Sequence, residues 1–389
     1  MTAVAVPATE VPATEVAATE VPATELPKAR GRTGISRRRI VIVGLAVALV
    51  ALGIVSAGMG QLAIPVPEIV GSLATHANSA LASMGLAGIR LPVLAQPSHP
   101  NADATLWIIR FPRIVLAAVV GAALATGGVV MQGVFRNPLA EPGIVGVSSG
   151  AAVAASAVIV FNVGFLGPLT SPAFAFAGGL VTTLFVYLAA RSRGRTEVVT
   201  LVLTGIAVNA VAGAGIALMI FLSTTQQREQ IVFWQLGSLN GARWIDVAIG
   251  LPITVVGVLG ARLLARRLDL LSLGERQARH LGVEVEQTRI IAIVIVAILT
   301  AAGVALCGII AFVGLVVPHL MRIILGPAHR GLIPASALGG AVLLLAADLA
   351  ARTAVPYADL PIGMLTALVG GPFFFWMLRR MRSRSGGFA

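Results

Sequence analysis

Ten apolar stretches, most of them close to twenty residues long and each bounded by proline, glycine or charge, follow one another from residue 40 to residue 378. A chain of that kind has few ways to fold. About 20 consecutive apolar residues wound as a helix cross roughly 30 Å of hydrocarbon with every peptide group satisfied internally. The stretches fall at 40–62, 113–133, 142–161, 172–190, 200–222, 246–264, 290–307, 309–325, 333–351 and 361–378. Composition agrees, since 57% of the 389 residues are hydrophobic and only 11% are charged. The expected fold is an all-α integral membrane protein of about ten transmembrane helices, with a membrane domain over 37–385.

Charge sets the orientation. An even number of spans leaves both termini on one side of the bilayer. Of the 28 lysines and arginines, all except Arg90, Arg110, Arg113, Arg228, Arg243 and Arg352 fall on that side. The positive-inside rule therefore puts both termini, and the polar stretch 268–289, in the cytoplasm of a cell-membrane protein. A net charge of +12 would point to nucleic acid in a soluble chain. Here the basic residues sit between apolar spans and no nucleic-acid partner is expected.

Outside the spans the chain is simple. Residues 6–25 repeat Val-Pro-Ala-Thr-Glu, once as Val-Ala-Ala-Thr-Glu, and residues 1–36 read as a disordered tail with nothing to pack. Arg37, Arg38 and Arg39 precede a first span too long for a signal-peptide core, so that span is expected to stay uncleaved. Residues 63–106, with Pro65, Pro67, Pro92, Pro97 and Pro100, form an external excursion with a short amphipathic patch over 68–75. His76 and His99 within it read as isolated surface histidines rather than ligands. Cys307 is the only cysteine, which excludes a disulfide framework and a multi-cysteine metal site. No metal is expected.

Catalytic chemistry has little to stand on. A phosphate-cradling G-x-x-x-x-G-K-[ST] loop needs its lysine, and the only lysine is Lys28 in the tail. Neither H-E-x-x-H nor paired intramembrane carboxylates occur. The chain is expected not to be an enzyme, and transport driven by a separate motor is what remains. The contrasting class is an ion-coupled secondary transporter, which would need titratable groups on facing helices.

Four sets of residues stand out. In the polar stretch, Gly274 and Gly282 break what read as two short helices. Their leucines at 270, 271, 273 and 281 either face a partner's groove, with Glu275, Arg276 and Arg279 in water, or belong to a solvated loop. Gly205, Asn209 and Gly213 form a small and polar stripe at helical spacing, fit for a pathway, a subunit interface or plain packing, and Gly146, Gly150 and Ala154 form another that reads as packing. Asp348 lies inside a span four residues before Arg352, where the two can pair along one helix face. Arg110, Arg113 and Arg352 share the outer side as exposed guanidiniums, suited to external carboxylates or to ordinary snorkelling.

Several segments together resemble the iron-chelate and cobalamin uptake permease family, the membrane subunits of type II ABC importers. They are Arg110-Phe111-Pro112-Arg113; Gly121 to Ala125; Met131 to Gly143, reading MQGVFRNPLAEPG; Gly146 to Gly150; Phe233 to Leu239; the Leu-Ser-Leu-Gly-Glu loop at 271–275; Phe312 to His319; Ala347 to Arg352; and Leu360 to Gly363 through Pro372-Phe373-Phe374. The resemblance runs from about 40 to 380 in order. The tail and the 63–106 excursion fall outside it, and Arg-Phe-Pro-Arg replaces the more usual Arg-Leu-Pro-Arg.

The resemblance implies a type II ABC importer permease fold and a second permease copy, with the pathway on the shared axis. It also implies two cytoplasmic ABC ATPase subunits that hold ATP and Mg, leaving no cofactor in this chain, and an external substrate-binding protein. It implies that Arg110, Arg113 and Arg352 grip glutamates of that protein. The coupling segment it implies comprises Asp269, Leu270, Leu271, Ser272, Leu273, Gly274, Glu275, Arg276, Ala278, Arg279, Leu281 and Gly282. The cargo it implies is an iron chelate, haem first, a ferric siderophore next and cobalamin third. His319 is read as structural.

Overall fold

The computed structural model describes residues 33–86, 88–192, 195–355 and 357–384. The repeat tail over 1–32 lies outside the described residues. Thirteen helices are named here: α1 Thr33–Gly58, α2 Val66–Ser83, α3 Phe111–Phe135, α4 Val147–Val160, α5 Thr170–Ala189, α6 Val198–Leu222, α7 Thr225–Leu236, α8 Trp244–Leu271, α9 Glu275–His280, α10 Val285–Cys307, α11 Val313–Leu325, α12 His329–Thr353 and α13 Ile362–Arg384. Seven are long and apolar enough to cross a membrane, and three shorter apolar helices, α4, α11 and the apolar part of α13, complete the expected ten. α10 shows why lipid matters. Its run Ile290-Ile291-Ala292-Ile293-Val294-Ile295-Val296 is rich in strand-forming residues, yet a helix is what satisfies its peptide groups inside a bilayer.

The bundle is organised around α3, whose apolar window is 78% buried, against 6% for α6 at the periphery. α3 packs on α12, α8, α10 and α11. Where it crosses α12, Gly121 and Gly340 face one another, and a Cβ on either would collide with the carbonyl of the other. Such contact lets two backbones approach closely, which is how helices associate where no water drives them together.

Three expectations need correction. The excursion 63–106 holds a full helix, α2, of 18 residues, longer than the patch over 68–75. The second span begins earlier than residue 113, because helix is continuous over Ala102–Phe135 through a π-helical turn at Thr105–Arg110. That wide turn precedes Pro112, whose nitrogen cannot donate, and the Phe111 N–H bonds Leu106 instead. The eighth span begins at Val313, not 309. Gly308 and Phe312 take φ of +74° and +67°, and the coil between them packs through the Ile309 carbonyl against Gly237 and Gly363, where irregular backbone is tolerated at membrane depth.

α7, a polar helix, is not among the elements expected from hydropathy. Its signal is local: Thr224 and Gln227 form a capping box. The Gln227 Nε2 also donates to the Ile159 and Val160 carbonyls at 3.1 Å each, closing the C-terminal end of α4.

Candidate functional site

The inner end of α8 makes an elbow. With 28 residues the helix is about 42 Å long, more than the roughly 30 Å of hydrocarbon, so its last turns stand in the cytoplasm. It ends at Leu271, turns at Gly274 with φ +118°, continues as the single short helix α9, and turns again at Gly282 with φ +82° into α10. This corrects the expectation of two short helices. Asp269, Leu270 and Leu271 belong to the last turn of α8, and Leu271 packs inward with Ala278, Val283 and Val285. A six-residue helix cannot hold itself in water, so it takes apolar support from both neighbours. Leu273 and Leu281 remain 60% and 58% exposed, and Ser272, Arg276, Arg279 and Gly282 are exposed with them.

Glu275 is not left in water. Its Oε1 accepts 2.7 Å from Arg289 Nη2, and Arg279 stands 3.6 Å from its other oxygen. Arg289 is 4% exposed. Its Nη1 also donates to the Thr196 carbonyl at 2.6 Å and to Glu286 at 3.2 Å. Glu286 in turn accepts from the Thr196 hydroxyl at 2.6 Å and the Tyr187 hydroxyl at 3.3 Å. One guanidinium thus ties α9 to the first turn of α10 and to a hairpin of two short strands, Arg191–Ser192 and Arg195–Thr196, and Glu286 extends the tie to the end of α5. A buried cation surrounded by acceptors holds its geometry because any lost partner leaves uncompensated charge. Charge counting along the chain includes Arg289 but does not single out Glu286, although their i,i+3 spacing on one helix is the signal that finds the pair.

A second strut carries the elbow. Asp269 Oδ1 accepts from the backbone N–H of His329 at 2.8 Å and lies 2.6 Å from its Nδ1, joining α8 to the start of α12. Beside the elbow a cavity of about 910 Å³ is lined by Arg136, Glu197, Glu275, Arg279 and Arg289 among others.

At the outer end, the three arginines do not stand free in water as expected. Arg110 and Arg113 are 5% and 7% exposed, and the Arg352 side chain is 10% exposed. Desolvated guanidiniums must be satisfied, and these have taken the nearest acceptors. Arg110 donates to the carbonyls of Ala57 and Leu62. Arg352 donates to the Met59 carbonyl at 3.0 Å and to Ser56. Both therefore close the C-terminal end of α1, whose last carbonyls have no partner within the helix. Arg113 donates 2.8 Å to Asp348 and 2.8 Å to Asp359. The pairing of Asp348 with Arg352 is present at 3.7 Å, but Arg113 is the nearer partner.

The stripe on α6 divides. Gly205 lies against the Ile144 carbonyl, where a Cβ would collide, and Gly213 has open space. Between them Asn209 accepts a 2.7 Å bond from the Ser149 hydroxyl of α4. Gly205 serves packing, then, while Gly213 sits on the uncovered face. Gly150 lies against Gly178 and Thr182 of α5, the close packing expected of the other stripe. In the excursion His76 stacks on Trp107 at 4.3 Å, and among the described residues no group of three potential metal ligands occurs.

The sequence model of the FecCD transport family matches residues 48–380. The hemin transport system permease protein HmuU of Yersinia pestis is 43% identical over 314 residues, covering 79% of this chain and 92% of that protein. The cobalamin import system permease protein BtuC of Halobacterium salinarum is 42% identical, covering 85% and 89%. The Fe(3+) dicitrate transport system permease protein FecD of Escherichia coli K12 is 41% identical, covering 79% and 96%. A solved metal-chelate type ABC transporter in an inward-facing conformation superposes with a TM-score of 0.72 at 30% identity, over 88% of this chain and 99% of the other.

Proposed function

We infer the function from kinship: this chain belongs to the FecCD transport family, and it is a cell-membrane permease of a type II ABC importer that carries iron chelates, haem or cobalamin. Within that class the cargo proposed is haem. The observation that carries this reading is the 43% identity to a hemin permease over 92% of that protein's length. Ferric siderophore is the second reading and cobalamin the third, favoured by relatives at 41% and 42% identity named for ferric dicitrate and cobalamin.

In the proposed mechanism the chain supplies a conduit and no engine. Two ATPase subunits bind ATP and Mg and press on α9 through the exposed Leu273 and Leu281, with Arg276 and Arg279 at the rim. The bonds of Arg289 and Asp269 pass that displacement to α5, α10 and α12. A second permease copy covers the open face of α6 near Gly213, so that the pathway lies between copies. An external binding protein docks over Arg110, Arg113 and Arg352, its carboxylates competing with the carbonyls that Arg110 and Arg352 now hold and with the Asp348 and Asp359 carboxylates that Arg113 holds.

The test is uptake by the reconstituted complex of permease, ATPase and binding protein in liposomes. ATP-dependent accumulation of haem, above ferric dicitrate and cobalamin, is expected. Accumulation of one of the others replaces the cargo, and uphill uptake by this chain alone overturns the conduit.

A further inference from the structure

The uncovered face of α8 changes character along its length. Leu251, Val256 and Leu259 are 44%, 70% and 56% exposed. Arg262, Leu263, Arg266 and Arg267 follow, all exposed, with Leu263 at 84%. At about 100° per residue these positions share one face of the helix. The depth of the switch can be measured from the other end. Trp244, 43% exposed, opens the helix on the outer side, where amphipathic rings sit at headgroup level. Arg262 stands about 27 Å further along the axis and Arg266 about 33 Å. Against a hydrocarbon core of roughly 30 Å, the arginines begin where the acyl chains end.

No ion pair neutralises Arg262 or Arg266 among the described residues, and Arg267 has only the Gln287 amide oxygen at 3.4 Å. Arg262 and Arg266 are four residues apart, neighbours on one ridge. A guanidinium is a planar fork matched to phosphate oxygens. We propose that this face holds an anionic phospholipid of the inner leaflet. Its phosphate sits between Arg262 and Arg266 with Arg267 at the flank, and an acyl chain lies along Leu263, Leu259 and Val256. Charge complementarity selects an acidic headgroup, and the apolar stripe continuing outward from the arginines selects a lipid over a free anion.

The full-length protein in phosphatidylcholine nanodiscs, carrying a trace of spin-labelled phosphatidylglycerol or spin-labelled phosphatidylcholine, tests this. The motionally restricted fraction is expected to be larger for phosphatidylglycerol and to shrink as salt is raised. In R262Q/R266Q/R267Q the preference should fall about fivefold per guanidinium removed. R262K/R266K/R267K should keep most of it, which guards against a variant that misfolds. A glutamine variant that retains phosphatidylglycerol as the wild type does overturns the site, as does a wild-type preference that salt leaves unmoved. Displacement by millimolar inorganic phosphate would mark a simple anion site and overturn the lipid. Loss of a co-purifying subunit from the glutamine variant, with lipid preference unchanged, would mark a protein interface and overturn it equally.

Discussion

Arg113 and Asp348, 235 residues apart, meet through a 2.8 Å hydrogen bond from Nε to Oδ1 at the outer end of the bundle, where Asp348 is fully buried. Asp359 takes the other side of the same guanidinium, and Arg352 approaches Asp348 from its own helix. Removing Asp348 leaves two buried cations with one carboxylate between them. Asp348→Ala is expected to cost about 3–5 kcal/mol, read as a lowered thermal midpoint in detergent. Replacing Arg113 and Asp348 together by apolar residues should recover much of that loss. An unshifted midpoint in the single variant would refute the assignment.

Gly340 and Gly213 are predicted to behave oppositely. Gly340→Leu drives a side chain into the Gly121 backbone and should exceed the usual overpacking cost of about 1–3 kcal/mol, so that little protein accumulates in the membrane. Gly213→Leu meets open space and should fold within about 0.5 kcal/mol of the wild type. If a second copy covers α6, that variant folds but elutes as monomer. Elution as wild-type dimer removes Gly213 from the interface.

Arg289→Ala should loosen the elbow without unfolding the bundle. Charged hydrogen bonds of about 1.5–3 kcal/mol each are lost, and amide exchange over 275–283 should quicken by about tenfold or more. Exchange there at the wild-type rate would show that the apolar cluster around Leu271 holds α9 alone.

Gly274→Pro tests the turn itself. Proline holds φ near −65°, whereas Gly274 sits at +118°. Hydrolysis by the assembled complex should persist while uptake falls away, with membrane insertion intact. Normal uptake counts against α9 as the coupling element.

Arg110→Glu puts a carboxylate against the Ala57 and Leu62 carbonyls that the arginine now satisfies. Stimulation of ATPase activity by the binding protein is expected to disappear, and hydrogen exchange at the end of α1 to rise. Full stimulation in this variant would remove Arg110 from docking.

Much of this architecture is legible in the amino-acid sequence. Each of the ten apolar stretches holds a helix, and the elbow lies within the polar stretch 268–289. The capping box of α7 is equally readable, although hydropathy alone does not find a polar helix. Other features have no local mark. Asp348 and Arg352, four residues apart, are the natural pair by spacing, yet Arg113 is nearer because α3 and α12 cross closely through Gly121 and Gly340. The arginines of the outer rim read as exposed because charge usually is. They are buried because α1 ends beside Arg110 and Arg352 with carbonyls to satisfy, and because Asp348 and Asp359 take Arg113.

By itself the amino-acid order determined what lipid enforces: helix wherever the chain is apolar for a membrane's thickness, orientation from the placement of arginine, and punctuation at glycine and proline. Those are properties of a segment and its solvent, and neighbouring residues suffice to state them. Tertiary packing decided which buried charges neutralise one another, where Arg289 ties the elbow, and which faces of α6 and α8 stay uncovered. Such pairings depend on how separate helices cross, and a cation hundreds of residues from its carboxylate leaves no trace in the spacing of either.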